Sequence, residues 1–113
     1  MAQTFVRHTA RQVSTGGALL PTSAVTGSTQ LVVSGLIVCN TEASAPVTVS
    51  VSLQNGGVQT YLVYNSEISP GESLIAIGWD QKLVMTSGDQ IKIVTNNADH
   101  QVDAILSVLE ITP

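Results

Sequence analysis

Charge is scarce in this sequence. Of 113 residues only eight are acidic and four basic, 11% together, about half of the ~25% usual in soluble domains. Four basic side chains cannot line a phosphate backbone, which argues against direct binding to nucleic acid. The net charge of −4 argues against an anionic membrane surface. A single cysteine, Cys39, rules out an internal disulfide. It ends the apolar run from Leu36, where a free cysteine serves as a small packing residue. Nothing in the sequence brings His8 or His100 close enough to activate it as a thiolate. Aromatic residues number four, too few to suggest a sugar-binding platform of stacked rings. No apolar run approaches the ~20 residues that span a bilayer. Arg7, His8 and Arg11 near the start are followed by no apolar stretch, so neither a signal peptide nor a transit peptide is expected.

What is present is hydroxyl and aliphatic. Serine and threonine total 24, and hydrophobic residues make up 43% of the chain, enough apolar content for one folded domain of this length. A monomer normally shields itself with interspersed charges. A surface of Ser, Thr and Val in their place suggests that neighbouring proteins cover much of it, the alternative being a soluble monomer made polar by its hydroxyls.

The hydrophobic period is two almost throughout. Val47, Val49, Val51 and Leu53 alternate with Thr48, Ser50 and Ser52, the pattern of a strand with one buried face. Asn55-Gly56-Gly57 reads as a tight hairpin turn into a strand from Val58 to Tyr64. Ser69-Pro70-Gly71-Glu72 is a β-turn, followed by strands from Ser73 to Ile77 and Lys82 to Met85, interrupted at Gly78-Trp79-Asp80. Ser87-Gly88-Asp89 turns into a strand from Gln90 to Thr95. Gln101 to Ile111 is apolar on both faces, as suits a central strand. Earlier come a strand from Phe5 to Val13 and one from Gln30 to Cys39, the latter broken at Ser34-Gly35 by a bulge or a close backbone approach. Gly16 to Ser28 reads as a loop or extended arm. No segment has the 3.6-residue period of a helix. About eight short strands predict an all-β, antiparallel sandwich: a body over 29–113, preceded by an N-terminal strand and flexible arm over 1–28.

Candidate chemistry is thin. Glu42, Glu67, Glu72, Asp80, Asp89, Asp99, Asp103 and Glu110 show neither glycosidase-like pairing nor calcium-loop spacing. Asp80, Asp89 and Asp99 sit beside turn residues, where a carboxylate ordinarily bonds the local backbone. His8 and His100 lack partners at zinc-ligand spacing. No serine stands in a nucleophile elbow, and neither Gly16-Gly17 nor Gly56-Gly57 leads into a phosphate loop. No catalytic, metal or cofactor site is expected, and the chain reads as a non-enzyme.

From Val33 onward the order of signals resembles small structural proteins of tailed bacteriophages. Carrying the resemblance are Gly35-Leu36-Ile37-Val38-Cys39-Asn40-Thr41, the strand Val47 to Leu53, Tyr61-Leu62-Val63, Ile68-Ser69-Pro70-Gly71-Glu72-Ser73-Leu74, Gly88-Asp89-Gln90-Ile91-Lys92-Ile93, and Asp103-Ala104-Ile105-Leu106-Ser107-Val108-Leu109-Glu110-Ile111. The resemblance implies a jelly-roll-like sandwich in the virion, most simply a capsid decoration (cement) protein at the capsid surface. Such a protein would act as a homo-oligomer, dimer or trimer, bridging copies of the major capsid protein. Alternatives are a neck, tail or fibre-base component, and a carbohydrate-binding β-sandwich.

Candidate interface residues are Phe5, Arg7, Arg11, Tyr64 and Trp79. Trp79 suits either a partly buried core position or an interface anchor. Tyr61 and Tyr64 should point to opposite sides of a regular strand. An arm over Met1 to Ser28 would grip a neighbour, so that removing Met1 to Thr15 would weaken assembly and leave the fold intact.

Overall fold

The structure, a computed structural model, describes residues 2–78, 82–97 and 100–113. Nine strands form it: β1 (Ala2–Val13), β2 (Ala18–Leu20), β3 (Gln30–Asn40), β4 (Val47–Asn55), β5 (Val58–Ile68), β6 (Ser73–Ile77), β7 (Leu83–Met85), β8 (Asp89–Thr95) and β9 (Val102–Thr112). They build two antiparallel sheets. One has the order β1-β9-β3-β6, with β7 also paired to β3; the other has the order β2-β8-β4-β5. The expected all-β sandwich is therefore the observed fold, with nine strands where eight were expected. β9 lies between β1 and β3, the central position that its two apolar faces imply.

The core fills the space between the sheets. Val33, Leu36 and Val38 of β3, with Val102, Ala104, Leu106 and Val108 of β9, face Val49 and Val51 of β4 and Ile91 and Ile93 of β8. Each is essentially inaccessible, so each aliphatic side chain contributes roughly 1.5–3 kcal/mol of burial. Away from the bulges successive side chains alternate, so the remaining half of each strand forms one of two outer faces.

Turn chemistry sets the register. Gly56-Gly57 joins β4 to β5 with Asn55 opposite Val58. At Ser69-Pro70-Gly71-Glu72 the Glu72 N–H donates to the Ser69 carbonyl over 3.1 Å, and Gly71 has φ +75°, the left-handed value that the third position of such a turn demands. The Asp89 carboxylate accepts from the Thr86 N–H at 2.8 Å and from Asn55 Nδ2 at 2.8 Å, which is the local turn role expected of it. Asp80 and Asp99 lie outside the described residues. Ser34 sits at a register shift between Val33 and Gly35, so the expected bulge is present.

The N-terminal part departs from expectation. The loop or extended arm expected over Gly16 to Ser28 is a loop for most of its length, but it is built into the sandwich through β2. Ala18 and Leu20 pair with Ile93 and Ile91, and Leu20 and Val25 are buried in the core. The Val25 N–H donates to the Asp89 carbonyl and the Gly88 N–H to the Val25 carbonyl. Gln90 Nε2 donates to the carbonyls of Pro21 and Thr22. The physical reason is apolar content: Leu19, Leu20 and Val25, scattered among polar residues, show no period, yet they bury enough surface to hold the segment down. β1 likewise pairs with β9 over most of its length and ends in the buried Val13.

Candidate functional site

The outer face of the five-stranded sheet carries two apolar rows. Registers place Phe5 of β1 beside Leu109 of β9, Leu109 beside Val32 of β3, and Val32 beside Val84 of β7. Farther along, Ile105 of β9 lies beside Ile37 of β3, and Ile37 beside Ile75 of β6. Phe5 is 82% exposed, Ile75 66%, Val84 52%, Ile105 47% and Ile37 44%. Arg7, Ser107 and Gly35 run between the rows. Single exposed apolar residues are ordinary, but here one row crosses four strands and the other three, which makes this face a candidate interaction surface.

The outer face of the four-stranded sheet is different. It presents Ser50, Ser52, Gln59, Tyr61, Tyr64, Asn65, Lys92 and Val94 around a depression of about 300 Å³. Tyr61 and Tyr64 do not diverge: their rings meet edge to face, with centroids 4.8 Å apart and planes at 78°. The cause lies in the β4–β5 register, where Ser52 opposes Tyr61 while Val51 opposes Val63. Leu62 is therefore an extra residue, a bulge that turns an odd spacing into an even one. Asn65, in the left-handed region at φ +50°, follows at a second irregularity. Its N–H donates to Ser50 Oγ at 3.0 Å.

The sequence-predicted interface residues therefore fall on separate surfaces. Phe5 and Arg7 share the apolar face, Arg11 is exposed at the bulge between Ala10 and Val13, and Tyr64 belongs to the opposite sheet. Trp79 lies outside the described residues. Sequence reasoning missed Ile37, Ile75, Val84 and Ile105 as surface residues, because a strand's two apolar faces do not reveal which one the partner sheet covers. Cys39 is half-buried between Ser73 and Asp103 on the outer side of β3. His8 borders a small hollow with Thr26, Thr29 and Glu110. Among the described residues, no three His, Cys, Asp or Glu side chains gather where a metal ion could bind, and no helix is long and apolar enough to cross a membrane.

No protein-family model and no curated protein matches the chain. A solved structure of Bacillus endospore appendages, described as a novel family of disulfide-linked pili, is similar in fold: the TM-score is 0.54 at 14% identity, covering 98% of this chain and 87% of that one. At that identity the likeness concerns the fold alone. One chemical difference is plain. A polymer linked covalently from subunit to subunit needs at least two thiols in each, and the 113 residues here hold one.

Proposed function

We propose that this chain is a structural subunit of a bacteriophage virion, decorating the capsid as a homo-oligomer, and that the apolar outer face of the five-stranded sheet is where a second copy packs. The observation that carries the assembly reading is that face: two rows of aliphatic and aromatic side chains left bare on a chain with so few charges to keep it single. Burying such rows against a second copy gains hydrophobic free energy in proportion to the apolar area covered. The virion setting draws its support from the ordered strand and turn signals that resemble tailed-phage structural proteins. The fold likeness to a pilus protein favours a broader second reading, a subunit of some other extracellular appendage, in which Cys39 allows at most one inter-subunit disulfide per chain.

Sedimentation analysis of the purified chain tests the self-contact. The wild type should sediment as a dimer or trimer, and Ile37→Asp, which sets a charge in the middle of one row, should sediment as a monomer with its fold retained. A wild type that remains monomeric at high concentration rules the self-contact out. Mass spectrometry of purified phage heads then tests the setting, because a decoration protein must be found there in many copies.

A further inference from the structure

The second outer face is built for something other than another apolar surface. Its depression is bordered by the two tyrosine rings and by side chains whose hydrogen-bonding roles are already divided. Ser52 Oγ donates to Gln59 Oε1 at 3.1 Å, and Ser50 Oγ lies 3.2 Å from Asn65 Oδ1. Both amide oxygens are thereby engaged, which leaves each amide nitrogen as a donor to a ligand. Lys92 stands across the sheet from Ser52 and adds a cationic donor. It also borders a second depression with Gly17, Leu19, Thr22 and Gln54, so the two hollows meet around its side chain. Gly17 makes room for this: a Cβ there would come within 3.0 Å of Val94 Cγ2 and 3.3 Å of Lys92 Cε. The site is thus rich in donors, carries one positive charge, and holds the only tyrosines of the chain, with Tyr61 49% and Tyr64 66% exposed.

We infer that this face binds an acidic saccharide. A pyranose ring has an apolar C–H face, polarised positive, that complements the negative face of a tyrosine ring. Its ring and hydroxyl oxygens accept from Gln59 Nε2 and Asn65 Nδ2. A carboxylate on the sugar pairs with the Lys92 ammonium in a charge-assisted bond. The adjoining depression beside Leu19 and Gln54 gives room for a second sugar along the chain. A polynucleotide is disfavoured, because one lysine cannot neutralise a run of phosphates. The two irregularities of β5 support the assignment: the extra Leu62 brings the rings to one face, and the left-handed Asn65 sets its amide beside them. Bulges and left-handed residues concentrate where a strand must aim side chains at a ligand. This site is independent of the apolar face and does not rest on the assembly reading.

The test is a glycan array carrying uronate-ended, sialylated and neutral saccharides, probed with the fluorescently labelled full chain. Capture on acidic saccharides is expected. Lys92→Gln should weaken that capture about tenfold, the worth of one bond to a charged group. Tyr64→Ala should weaken it by about tenfold or more, while Tyr64→Phe, which keeps the ring, should retain it. Phe5→Ser, on the opposite face, should have no effect. A blank array, capture confined to neutral sugars, or capture that survives Tyr64→Ala overturns the proposal. A blank array together with exclusion of Tyr64→Ala chains from assembled particles would make the ring pair a protein contact.

Discussion

Asn40 shows how much one side chain can organise in a fold with few charges. It is fully buried at the end of β3. Its Nδ2 donates to the carbonyls of Ala45 at 2.9 Å and Ile68 at 3.0 Å, and its Oδ1 accepts from the Glu42 N–H at 2.8 Å. Its backbone N–H donates to the Glu72 carbonyl at 2.9 Å. The loop after β3, the end of β5 and the turn before β6 are thus tied to one residue. Asn40→Ala would strand the buried Ile68 carbonyl together with the part-buried Ala45 carbonyl and Glu42 N–H, at a cost of about 3 kcal/mol. The urea unfolding midpoint should fall accordingly, with the slope of the transition unchanged. Nothing in the sequence singles out this asparagine, since an Asn after a strand reads as an ordinary turn residue. The Ser69-Pro70-Gly71-Glu72 turn and the Asp89 carboxylate were legible because their chemistry is local. Asn40 was not, because the partners of its side chain lie up to 28 residues away.

Among the elements, β5 is the instructive one. Counting residues places Tyr61 and Tyr64 on opposite sides, and counting fails because Leu62 has no partner in β4. Deleting Leu62 restores plain alternation with the tyrosines two apart, so both rings stay on the outer face. The variant should fold and keep its near-ultraviolet tyrosine dichroism. Loss of that signal would mean that the bulge does more than correct the spacing. Most of the remaining strands were readable because alternation over five or more residues leaves few alternatives, and the three-residue β7 was marked by the turn signal that follows it. β2, with three residues, offers too little pattern to read. β1 also changes the expectation for truncation. Its pairing with β9 runs from Ala2 to Val13, so removing residues 1–15 uncovers the edge of a central strand and takes Val13 from the core. The truncated chain should lose several kcal/mol of stability and tend to aggregate through the exposed edge; calorimetry and light scattering would report both.

As a whole, the molecule is a slab of 47 × 28 × 20 Å with two broad faces of unlike chemistry. The class of fold was legible from periodicity, but the difference between the faces was not, because it depends on which strands pair. Rows such as Phe5–Leu109–Val32–Val84 come from four separate stretches of sequence and exist only once the register is set. An assembly held by that apolar face should answer to salt in a characteristic way. Surface ion pairs are screened as ionic strength rises, whereas burial of apolar area is strengthened by sulfate. Sedimentation in rising sodium chloride should therefore show no dissociation, and ammonium sulfate should shift the balance towards the larger species. Dissociation by moderate sodium chloride would point to Arg7 and Arg11 in place of the aliphatic rows.

Cys39 lies along β3 two residues past Ile37, on the same side of the sheet. The native chain thus brings its own single-site footprinting reagent target, with no engineered label. A maleimide added to the separated subunit should alkylate this sulfur at a measurable pace, and the same reagent added to the complete particle should find it shielded if the neighbouring copy reaches that far across the slab. The ratio of the two rates would tell whether the contact extends as far as this sulfur, in the unmodified protein.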